Sequence, residues 1–176
     1  CIVTVDGMFS RKGKPIMSAP HIRENLEPFF AVDPDLIFDG ELYADALKDN
    51  FNKIISLAKQ KKPTAADLEA SREMLDYWIY DLPSQGGTFV ERSFELERMS
   101  YSPDPDHVVT LRGAGSIVVC PTDRPATPEA LDELYAKYLA SGMEGQMVRR
   151  GDSPYKKGRS KALLKRKEFL DEEFVI

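Results

Sequence analysis

Short runs of alternating apolar and polar side chains recur along the chain, and segments with helical spacing of apolar residues separate them. A period of two is typical of strands with one buried face, and apolar residues three or four positions apart are typical of amphipathic helices. The strand-like runs outnumber the helical segments. This pattern predicts an α+β fold with largely antiparallel sheets and flanking helices.

Turn and capping residues place the individual elements along the chain. An Asp6-Gly7 turn predicts a hairpin over 1–16, and Thr64 and Thr127 are positioned to cap helices that follow them. Helices are expected at 20–27, 45–62, 65–76 and 127–142. Strands are expected at 35–44, 76–82, 107–111, 115–120, 145–150 and 162–169, and the segment 94–99 fits a strand or a short helix.

The composition is that of a water-soluble globular domain. The chain has 176 residues, of which 42% are hydrophobic and 30% charged, which suggests one domain. No apolar run approaches the roughly 20 residues that a membrane span needs, so no membrane partner is expected. The two cysteines, Cys1 and Cys120, are too few for a disulfide framework and lack metal-ligand spacing, so an intracellular setting is expected.

Charge is unevenly distributed along the sequence. The net charge is −5, yet the window 149–167 holds nine basic residues and the single acid Asp152, a local charge of +8. The rest of the chain has 15 basic and 28 acidic residues, a charge of −13. Such segregation fits either a surface that binds a polyanion or a solvated run of charges.

Two short stretches place an acidic residue beside a glycine. In FDGELY, Asp39 and Glu41 share a strand face, and Gly40 between them permits close approach of a backbone or a ligand. A partly buried carboxylate there would need a cation, a metal or hydrogen-bond donors. In MEGQMVRR, Glu144 precedes Gly145 at the start of a strand. Taken singly, each stretch also fits an ordinary surface strand.

One aromatic stretch and one basic stretch are also open to two interpretations. In YWIYDL, Trp78 and Tyr80 share a face, which suits stacking on a nucleobase or packing in a core. In SRKGKPI, three basic residues surround a glycine, which suits phosphate contacts or an exposed turn. Those basic residues are Arg11, Lys12 and Lys14.

The stretch LLKRK places two lysines on one face if it is a strand. Lys165 and Lys167 then repel each other unless water screens them or an anion lies between them. Leu163 and Leu164 are expected to anchor this strand in the core. Arg166 points to the opposite face and is expected to be dispensable for any chemistry of the lysines.

In chain order, these stretches resemble the motifs of the covalent nucleotidyltransferase superfamily, which contains ATP-dependent polynucleotide ligases and mRNA capping enzymes. SRKGKPI is similar to the basic element after the nucleophile, FDGELY to motif III, YWIYDL to motif IIIa, MEGQMVRR to motif IV and LLKRK to motif V. The similarity is greatest to small ATP-dependent DNA ligases of the bacteriophage type, through FDGELY followed by FNKIIS. It implies an ATP-grasp-like nucleotidyltransferase (adenylation) domain over 1–176.

The resemblance also implies a reaction and a set of roles. A lysine attacks ATP to form lysyl-AMP, AMP passes to a DNA 5′-phosphate, and a 3′-OH then displaces AMP. Lys165 and Lys167 would contact the α-phosphate, and Arg11 would contact the phosphate of the nick or of the nucleotide. Glu41 would accept a hydrogen bond from the ribose, and Tyr80 would stack on adenine.

The metal and the partners follow from the same resemblance. Glu144 would hold Mg²⁺ or Mn²⁺ near the phosphate, with Glu41 as a further candidate ligand. A monomer acting on nicked duplex DNA is implied, and contacts to the DNA backbone would be independent of base sequence. The residues implied in these contacts are Arg11, Lys12, Lys14, Lys156, Lys157 and Arg159.

The chain departs from the family pattern at the nucleophile. The family has a K-x-D-G motif, whereas TVDG places Thr4 where the lysine should stand, and threonine forms no phosphoramidate. The motif I lysine is therefore expected before Cys1, and an OB-fold domain with motif VI is expected after Ile176, so the fragment alone should not adenylylate itself. An RNA ligase, a GTP-using capping enzyme and a non-catalytic nucleic-acid-binding homologue remain alternatives; an NAD-dependent ligase is less expected.

Overall fold

A computed structural model describes residues 1–44, 47, 51–100, 111 and 114–167. The strands are β1 (Ile2–Thr4), β2 (Gly7–Phe9), β3 (Phe38–Tyr43), β4 (Asp76–Asp81), β5 (Ile117–Val119), β6 (Gly145–Arg149) and β7 (Leu163–Lys167). The α-helices are α1 (Pro20–Val32), α2 (Phe51–Ala58), α3 (Ala65–Met74), α4 (Phe89–Ser100) and α5 (Pro128–Ala140), and a 3-10 helix covers Pro83–Gln85.

Five strands form the main sheet in the order β2-β1-β3-β4-β5. All neighbours are antiparallel except β4 and β5, which run parallel. The predicted hairpin is present, because Asp6 lies in the turn between β1 and β2 and Thr4 pairs with Gly7. The α+β class with largely antiparallel pairing is confirmed, with β4–β5 as a parallel exception.

Helices α1 and α4 pack on the main sheet, and the core lies beneath them. Alternation along β4 buries Tyr77, Ile79 and Asp81 and leaves Asp76, Trp78 and Tyr80 half-buried. Phe38 of β3 stands edge-on to two phenylalanines of α1, at centroid distances of 6.1 and 5.7 Å. The sheet therefore has one buried apolar face and one partly open face that carries polar and aromatic side chains.

Strands β6 and β7 form a second, two-stranded antiparallel sheet. Helix α5 packs against β6. Its start is fixed as predicted, because the Thr127 hydroxyl accepts a hydrogen bond from the backbone N–H of Ala130 and Pro128 occupies the first turn. Gly142 has a φ of +78° just after the helix ends, which suits a glycine stop.

Several predicted boundaries differ from the observed ones. Helix α1 continues to Val32 instead of ending at 27, because Phe29 and Phe30 extend its buried face. The expected helix 45–62 is observed as α2, Phe51–Ala58, and residues 45, 46 and 48–50 lie outside the described part. The segment 94–99 is helical and belongs to α4. Residues 107–110 of the expected strand 107–111 lie outside the described residues.

One predicted anchor of the last strand is wrong. Leu164 is exposed at 59% of its surface, and Leu163 is only partly buried. Helix α5 packs mainly on β6, so it leaves Leu164 of the neighbouring strand uncovered. Among the described helices, none is long and apolar enough to cross a bilayer.

Candidate functional site

Lys165 and Lys167 hold one carboxylate between them. The Lys165 Nζ donates to Glu144 Oε2 at 2.8 Å, and the Lys167 Nζ donates to Glu144 Oε1 at 3.1 Å. The two ammonium groups keep the pKa of Glu144 below its usual range. We call Lys165, Lys167 and Glu144 the lysine clamp.

The pairing of β6 with β7 explains this geometry. Lys167 lies opposite Gly145 and Lys165 opposite Met147, so both lysines lie on one face of the two-stranded sheet. A Cβ atom on Gly145 would lie 2.1 Å from the carbonyl oxygen of Arg166, so only glycine allows β6 to begin this close to β7. Glu144, the residue before that glycine, is thereby held beside the lysines.

Arg166 lies on the opposite face of β7, as predicted. Its Nη1 donates to Asp132 Oδ1 at 2.6 Å, and its guanidinium stacks over the Tyr135 ring at 4.1 Å. Both partners belong to α5. Arg166 therefore attaches the helix to the sheet, while its two lysine neighbours face the other way.

The open face of β3 and β4 carries the predicted ribose and base ligands. Glu41 is exposed and lies opposite Trp78. The strands approach so closely at Gly40 that a Cβ there would lie 2.4 Å from the Trp78 carbonyl oxygen, so the predicted close approach at Gly40 is made by a neighbouring backbone. The register shifts between Asp39 and Gly40, and the shift leaves Tyr80 as the extra residue of a bulge.

A carboxylate between two tyrosines adjoins this face. The Tyr155 hydroxyl donates to Asp39 Oδ2 at 2.8 Å, and the Tyr80 hydroxyl lies 3.4 Å from Asp39 Oδ1. Burial raises the pKa of Asp39, and the Tyr155 hydrogen bond opposes part of that rise. Burial and the nearby Asp39 also raise the pKa of Tyr80, so its phenol stays neutral.

Asp81 is the most enclosed charged group near the site. Its side chain is fully buried, and it accepts hydrogen bonds from Arg92 at 2.6 and 3.2 Å and from the Leu82 backbone N–H at 2.8 Å. Arg149 of β6 also donates to Asp81 Oδ2. The Arg149 guanidinium stacks over the Phe89 ring at 4.4 Å. We call Asp81, Arg92 and Arg149 the Asp81 junction.

The predicted DNA-backbone residues lie in two exposed loops. Arg11, Lys12 and Lys14 occupy the turn after β2, which closes through hydrogen bonds from the Gly13 and Ser10 N–H groups. Lys156, Lys157 and Arg159 lie in the β6–β7 loop and are also exposed. The β6–β7 loop contacts the first turn of α4, where the N–H groups of Phe89 and Val90 donate to Ser153 and Gly151.

The acidic residues fit a metal that takes few protein ligands. In the described ranges, no three His, Cys, Asp or Glu side chains are grouped closely enough to hold a metal. Glu144 offers one exposed carboxylate beside the lysines, and Glu41 offers another on β3. Mg²⁺ commonly keeps several waters and binds one or two carboxylates together with substrate phosphates, so single carboxylates suit it.

Comparison with known proteins assigns the family. The family model described as "ATP dependent DNA ligase domain" matches residues 6–167. The chain belongs to the ATP-dependent DNA ligase domain family. No match was found among curated protein sequences.

Solved DNA ligase structures share the fold of this ligase domain. A Lig E DNA ligase superposes with a TM-score of 0.67 at 23% identity, over 95% of this chain and 57% of its own. The chlorella virus DNA ligase-adenylate superposes with a TM-score of 0.65 at 20% identity, over 94% of this chain and 58% of its own. The structure named Pmar-Lig_PreS3 superposes with a TM-score of 0.70 at 22% identity, over 96% of this chain and 39% of its own. The ligase domain therefore spans between two fifths and three fifths of these neighbours.

Some residues of the site went unnoticed in the sequence. Met147 is 58% exposed and shares the lysine face, where it offers an apolar surface beside Lys165. Alternation along β6 could have placed Met147 there, because it lies two positions from Gly145. No local pattern signals that Arg149 bonds Asp81 or that Tyr155 bonds Asp39, because these pairs are 68 and 116 residues apart.

Proposed function

We propose that the intact protein is an ATP-dependent DNA ligase and that this domain binds the nucleotide and transfers AMP. The substrate is a nick in duplex DNA, sealed through lysyl-AMP and DNA-adenylate intermediates. Family membership supports this proposal, and the lysine clamp carries it. A site that holds the two oxygens of a carboxylate between two ammonium groups has the charge and donors to hold two phosphate oxygens.

The lysines supply what phosphoryl-group chemistry requires most. Negative charge is spread over the phosphate oxygens in the transition state, and fixed positive charges that do not reorganise lower its free energy. Lys165 and Lys167 would contact the α-phosphate once Glu144 releases them. Arg11 would contact the phosphate of the nick or of the nucleotide.

The open face of β3 and β4 would bind the nucleoside. Glu41 would accept a hydrogen bond from the ribose, and the Tyr80 ring would stack on adenine. Tyr80 fits this role because it is half-buried on a bulge, with its hydroxyl directed to Asp39 and its ring beside the open face. The exposed Met147 of β6 would add an apolar contact.

A divalent ion, Mg²⁺ or Mn²⁺, would be held by Glu144 and by phosphate oxygens, with Glu41 as a second candidate. The bound ion would neutralise charge on the phosphates. Glu144 therefore has two proposed states, one in which it neutralises the lysines and one in which it faces the metal.

The nucleophilic lysine is proposed to precede Cys1 in the intact protein. Thr4 does not fill the role, because its hydroxyl accepts the Asp6 N–H within the β1–β2 turn and carries no amine. An OB-fold domain is proposed to follow the adenylation domain. The intact protein is proposed to act as an intracellular monomer.

DNA would be bound through its backbone. Lys12, Lys14, Lys156, Lys157 and Arg159 are exposed and lie in loops, where they can reach phosphates without entering a groove. Arg11 shares the first of these loops.

The experiment that tests the function uses the complete protein and two labelled nucleotides. We expect ATP, and not GTP, to leave labelled AMP on the protein in the presence of Mg²⁺, and we expect that AMP to move to nicked DNA and not to nicked RNA. Labelling by GTP would indicate a capping-type enzyme, and transfer to RNA would indicate an RNA ligase.

A complete protein that takes no label from either nucleotide, yet binds DNA, would contradict the proposed function. It would then be a nucleic-acid-binding homologue. Reading the residues encoded before Cys1 provides an independent check, since K-x-D-G there supports an enzyme.

A further inference from the structure

The strands that carry the lysine clamp form no backbone pairing with any strand of the main sheet within the described residues. Strands β6 and β7 pair with each other, whereas the proposed base and ribose ligands lie on β4 and β3. A nucleotide that contacts both sheets therefore requires them to be held in a fixed relative position. Side-chain and loop contacts must therefore hold the two sheets in place relative to each other.

The β6–β7 loop makes one set of these contacts. Backbone hydrogen bonds of 2.8 and 3.0 Å join Ser153 and Gly151 to the first turn of α4, and Tyr155 donates to Asp39 of β3. These contacts fix the loop. They do not by themselves fix the direction in which β6 leaves it.

Arg149 makes the contact from β6 itself. It is the last residue of β6, its side chain is 15% exposed, and it donates to the fully buried Asp81 at the end of β4. Arg92 of α4 donates to the same carboxylate, so three elements meet at Asp81. The Phe89 ring beneath the guanidinium of Arg149 restricts it further.

The Asp81 junction has a chemistry that favours one geometry. The Arg92 guanidinium binds both oxygens of the carboxylate, and Arg149 takes a remaining acceptor position on Oδ2. A planar guanidinium donates in fixed directions, so a small rotation of β6 would misalign its hydrogen bond to Asp81. Burial strengthens this restraint, because little water is available to replace a lost partner.

The two ends of β6 then have linked positions. Arg149 lies at one end, and Gly145, next to Glu144, lies at the other, about 13 Å away in an extended strand. Tyr80 directly precedes Asp81 on β4. The Asp81 junction thus connects the residue beside the proposed base ligand to the strand that carries the clamp.

We infer that Arg149 is a positioning residue, which fixes the direction of the two-stranded sheet so that the lysine clamp faces the open side of β3 and β4. Its effect on nucleotide binding rests on the proposed function, whereas its effect on the sheet does not. Arg149 touches no nucleotide in this account and acts through Asp81.

The test compares Arg149→Met with Arg149→Lys and with the matched control Arg150→Met. Methionine keeps the unbranched stem on Phe89 and removes the charge and the donors, whereas lysine keeps the charge and loses the planar fork. Arg150 is the next residue in the chain, is 70% exposed and pairs with Asp152 across two positions. Its loss removes the same chemical group without touching the Asp81 junction.

Amide hydrogen exchange in the ligand-free chain is the first measurement. In Arg149→Met, we expect the amides of β6 and β7 to exchange about ten- to a hundredfold faster, the factor expected for losing a hydrogen bond to a charged group, while β3 and β4 stay protected. The exchange rates of β6 and β7 in Arg149→Lys should lie between those of Arg149→Met and the unmodified chain. The rates in Arg150→Met should match those of the unmodified chain. Equal exchange in both methionine variants, or uniform acceleration in all strands, would overturn the inference.

Binding of ATP, followed by fluorescence of the single tryptophan, is the second measurement. We expect Arg149→Met to bind ATP about 10- to 150-fold more weakly, the factor expected when a hydrogen bond from the misplaced lysines to a charged phosphate is lost. Arg150→Met should bind ATP with the affinity of the unmodified protein. Unchanged affinity in Arg149→Met despite faster exchange would overturn the positioning role. If the unmodified protein binds no ATP, the proposed function fails, and hydrogen exchange still decides whether Arg149 fixes the sheet.

Discussion

Glu144 occupies the position in the lysine clamp that an anion would take. Two lysines on one strand face repel each other unless water screens them or a negative group lies between them, and the chain supplies such a group from the residue before β6. The pairing directs both lysine side chains to one point in the ligand-free protein. In the proposed function, a phosphate would displace this carboxylate, which would couple phosphate binding to the release of Glu144.

The ring of Tyr80, more than its hydroxyl, is expected to determine nucleotide affinity. Base stacking on an aromatic ring contributes about 1–3 kcal/mol, so Tyr80→Ala should weaken ATP binding by about 5- to 150-fold. Tyr80→Phe should bind ATP within about threefold of the unmodified chain, because the hydroxyl contacts at 3.4 Å are long. Isothermal titration of folded variants would measure both, and unchanged affinity in Tyr80→Ala would show that the ring only packs.

His21 should make stability depend on pH. It is buried, its Nε2 lies 3.1 Å from the Leu75 carbonyl oxygen, and burial lowers its pKa below the ordinary 6.5. As pH falls through 6.5 towards the lowered value, the unfolded chain takes up a proton that the folded chain excludes. The contribution of His21 to the free energy of unfolding should therefore be complete above pH 6.5, and the protein should become less stable as the pH falls below that value.

Urea unfolding between pH 5 and 8 measures this dependence. His21→Gln should flatten the part of the profile between the lowered pKa and 6.5, and His107→Gln, which removes the other histidine, serves as the control. A profile that stays equally steep in His21→Gln would assign the effect to another group.

At the scale of elements, helix and hairpin signals in the sequence are the most reliable. Thr64 and Asp67 form the reciprocal capping box at the start of α3, and the Asp6 turn joins β1 to β2. Both signals involve residues only a few positions apart, so the local sequence determines where the helix and the hairpin turn begin. The segment 94–99 is ambiguous alone, because its helix begins five residues earlier, at Phe89.

The pairing direction and the exposure of an element depend on distant partners, and these features could not be predicted. The parallel pairing of β5 with β4 joins strands about 40 residues apart, and the sequence of either strand fits both directions. The exposure of Leu164 depends on where α5 packs. The family resemblance predicted that Lys165, Lys167 and Glu144 belong to one site, but not that Glu144 pairs with the lysines. The Asp81 junction could not be predicted, because Arg92 and Arg149 are ordinary basic residues until the fold brings them to one carboxylate.

Gly145 is expected to be essential for the pairing of β6 with β7. An added Cβ would meet the Arg166 carbonyl oxygen at 2.1 Å. The Cβ is bonded directly to the backbone of β6 and the oxygen is part of the backbone of β7, so the clash is relieved only if the strands separate. Gly145→Ala should cost about 1–3 kcal/mol of unfolding free energy, the usual cost of overpacking. It should also weaken ATP binding, because Glu144 and the lysines would no longer face one another.

Chemical denaturation and ATP titration of Gly145→Ala would measure the two effects together. Ser141→Ala, near the end of α5, is a suitable control, because its exposed hydroxyl bonds only the Lys137 carbonyl in the described contacts. A Gly145→Ala variant as stable as the control, with full ATP affinity, would contradict the assigned role of this glycine.

At the scale of the whole molecule, the segregation of charge has a structural basis. Lys156, Lys157 and Arg159 lie in the exposed β6–β7 loop, and Lys165 and Lys167 lie on the strand that follows it. The loop is attached to α4 and to Asp39, so the backbone that carries these cations is held in place although their side chains are solvated. A net charge of −5 on the chain would otherwise oppose DNA binding.

Removing two loop cations should reduce the salt dependence of DNA binding. Each phosphate contact contributes about −0.9 to the slope of log K against log salt, so Lys156→Ala with Lys157→Ala should make the slope less negative by about 2. The matched control replaces Lys61 and Lys62, an exposed lysine pair between α2 and α3, and should leave the slope unchanged. Fluorescence anisotropy of nicked duplexes from 50 to 200 mM salt measures it, and equal slopes in both double variants would contradict the proposed DNA surface.

Binding of ATP by Lys165→Ala, Lys167→Ala and Arg166→Ala tests the central claim most directly. Hydrogen bonds to charged groups contribute about 1.5–3 kcal/mol, so each lysine variant should bind ATP about 10- to 150-fold more weakly than the unmodified chain. Arg166→Ala, on the opposite face of the same strand, should bind ATP normally. Near-normal affinity in both lysine variants, or equal losses in all three, would contradict a phosphate site at the lysine clamp.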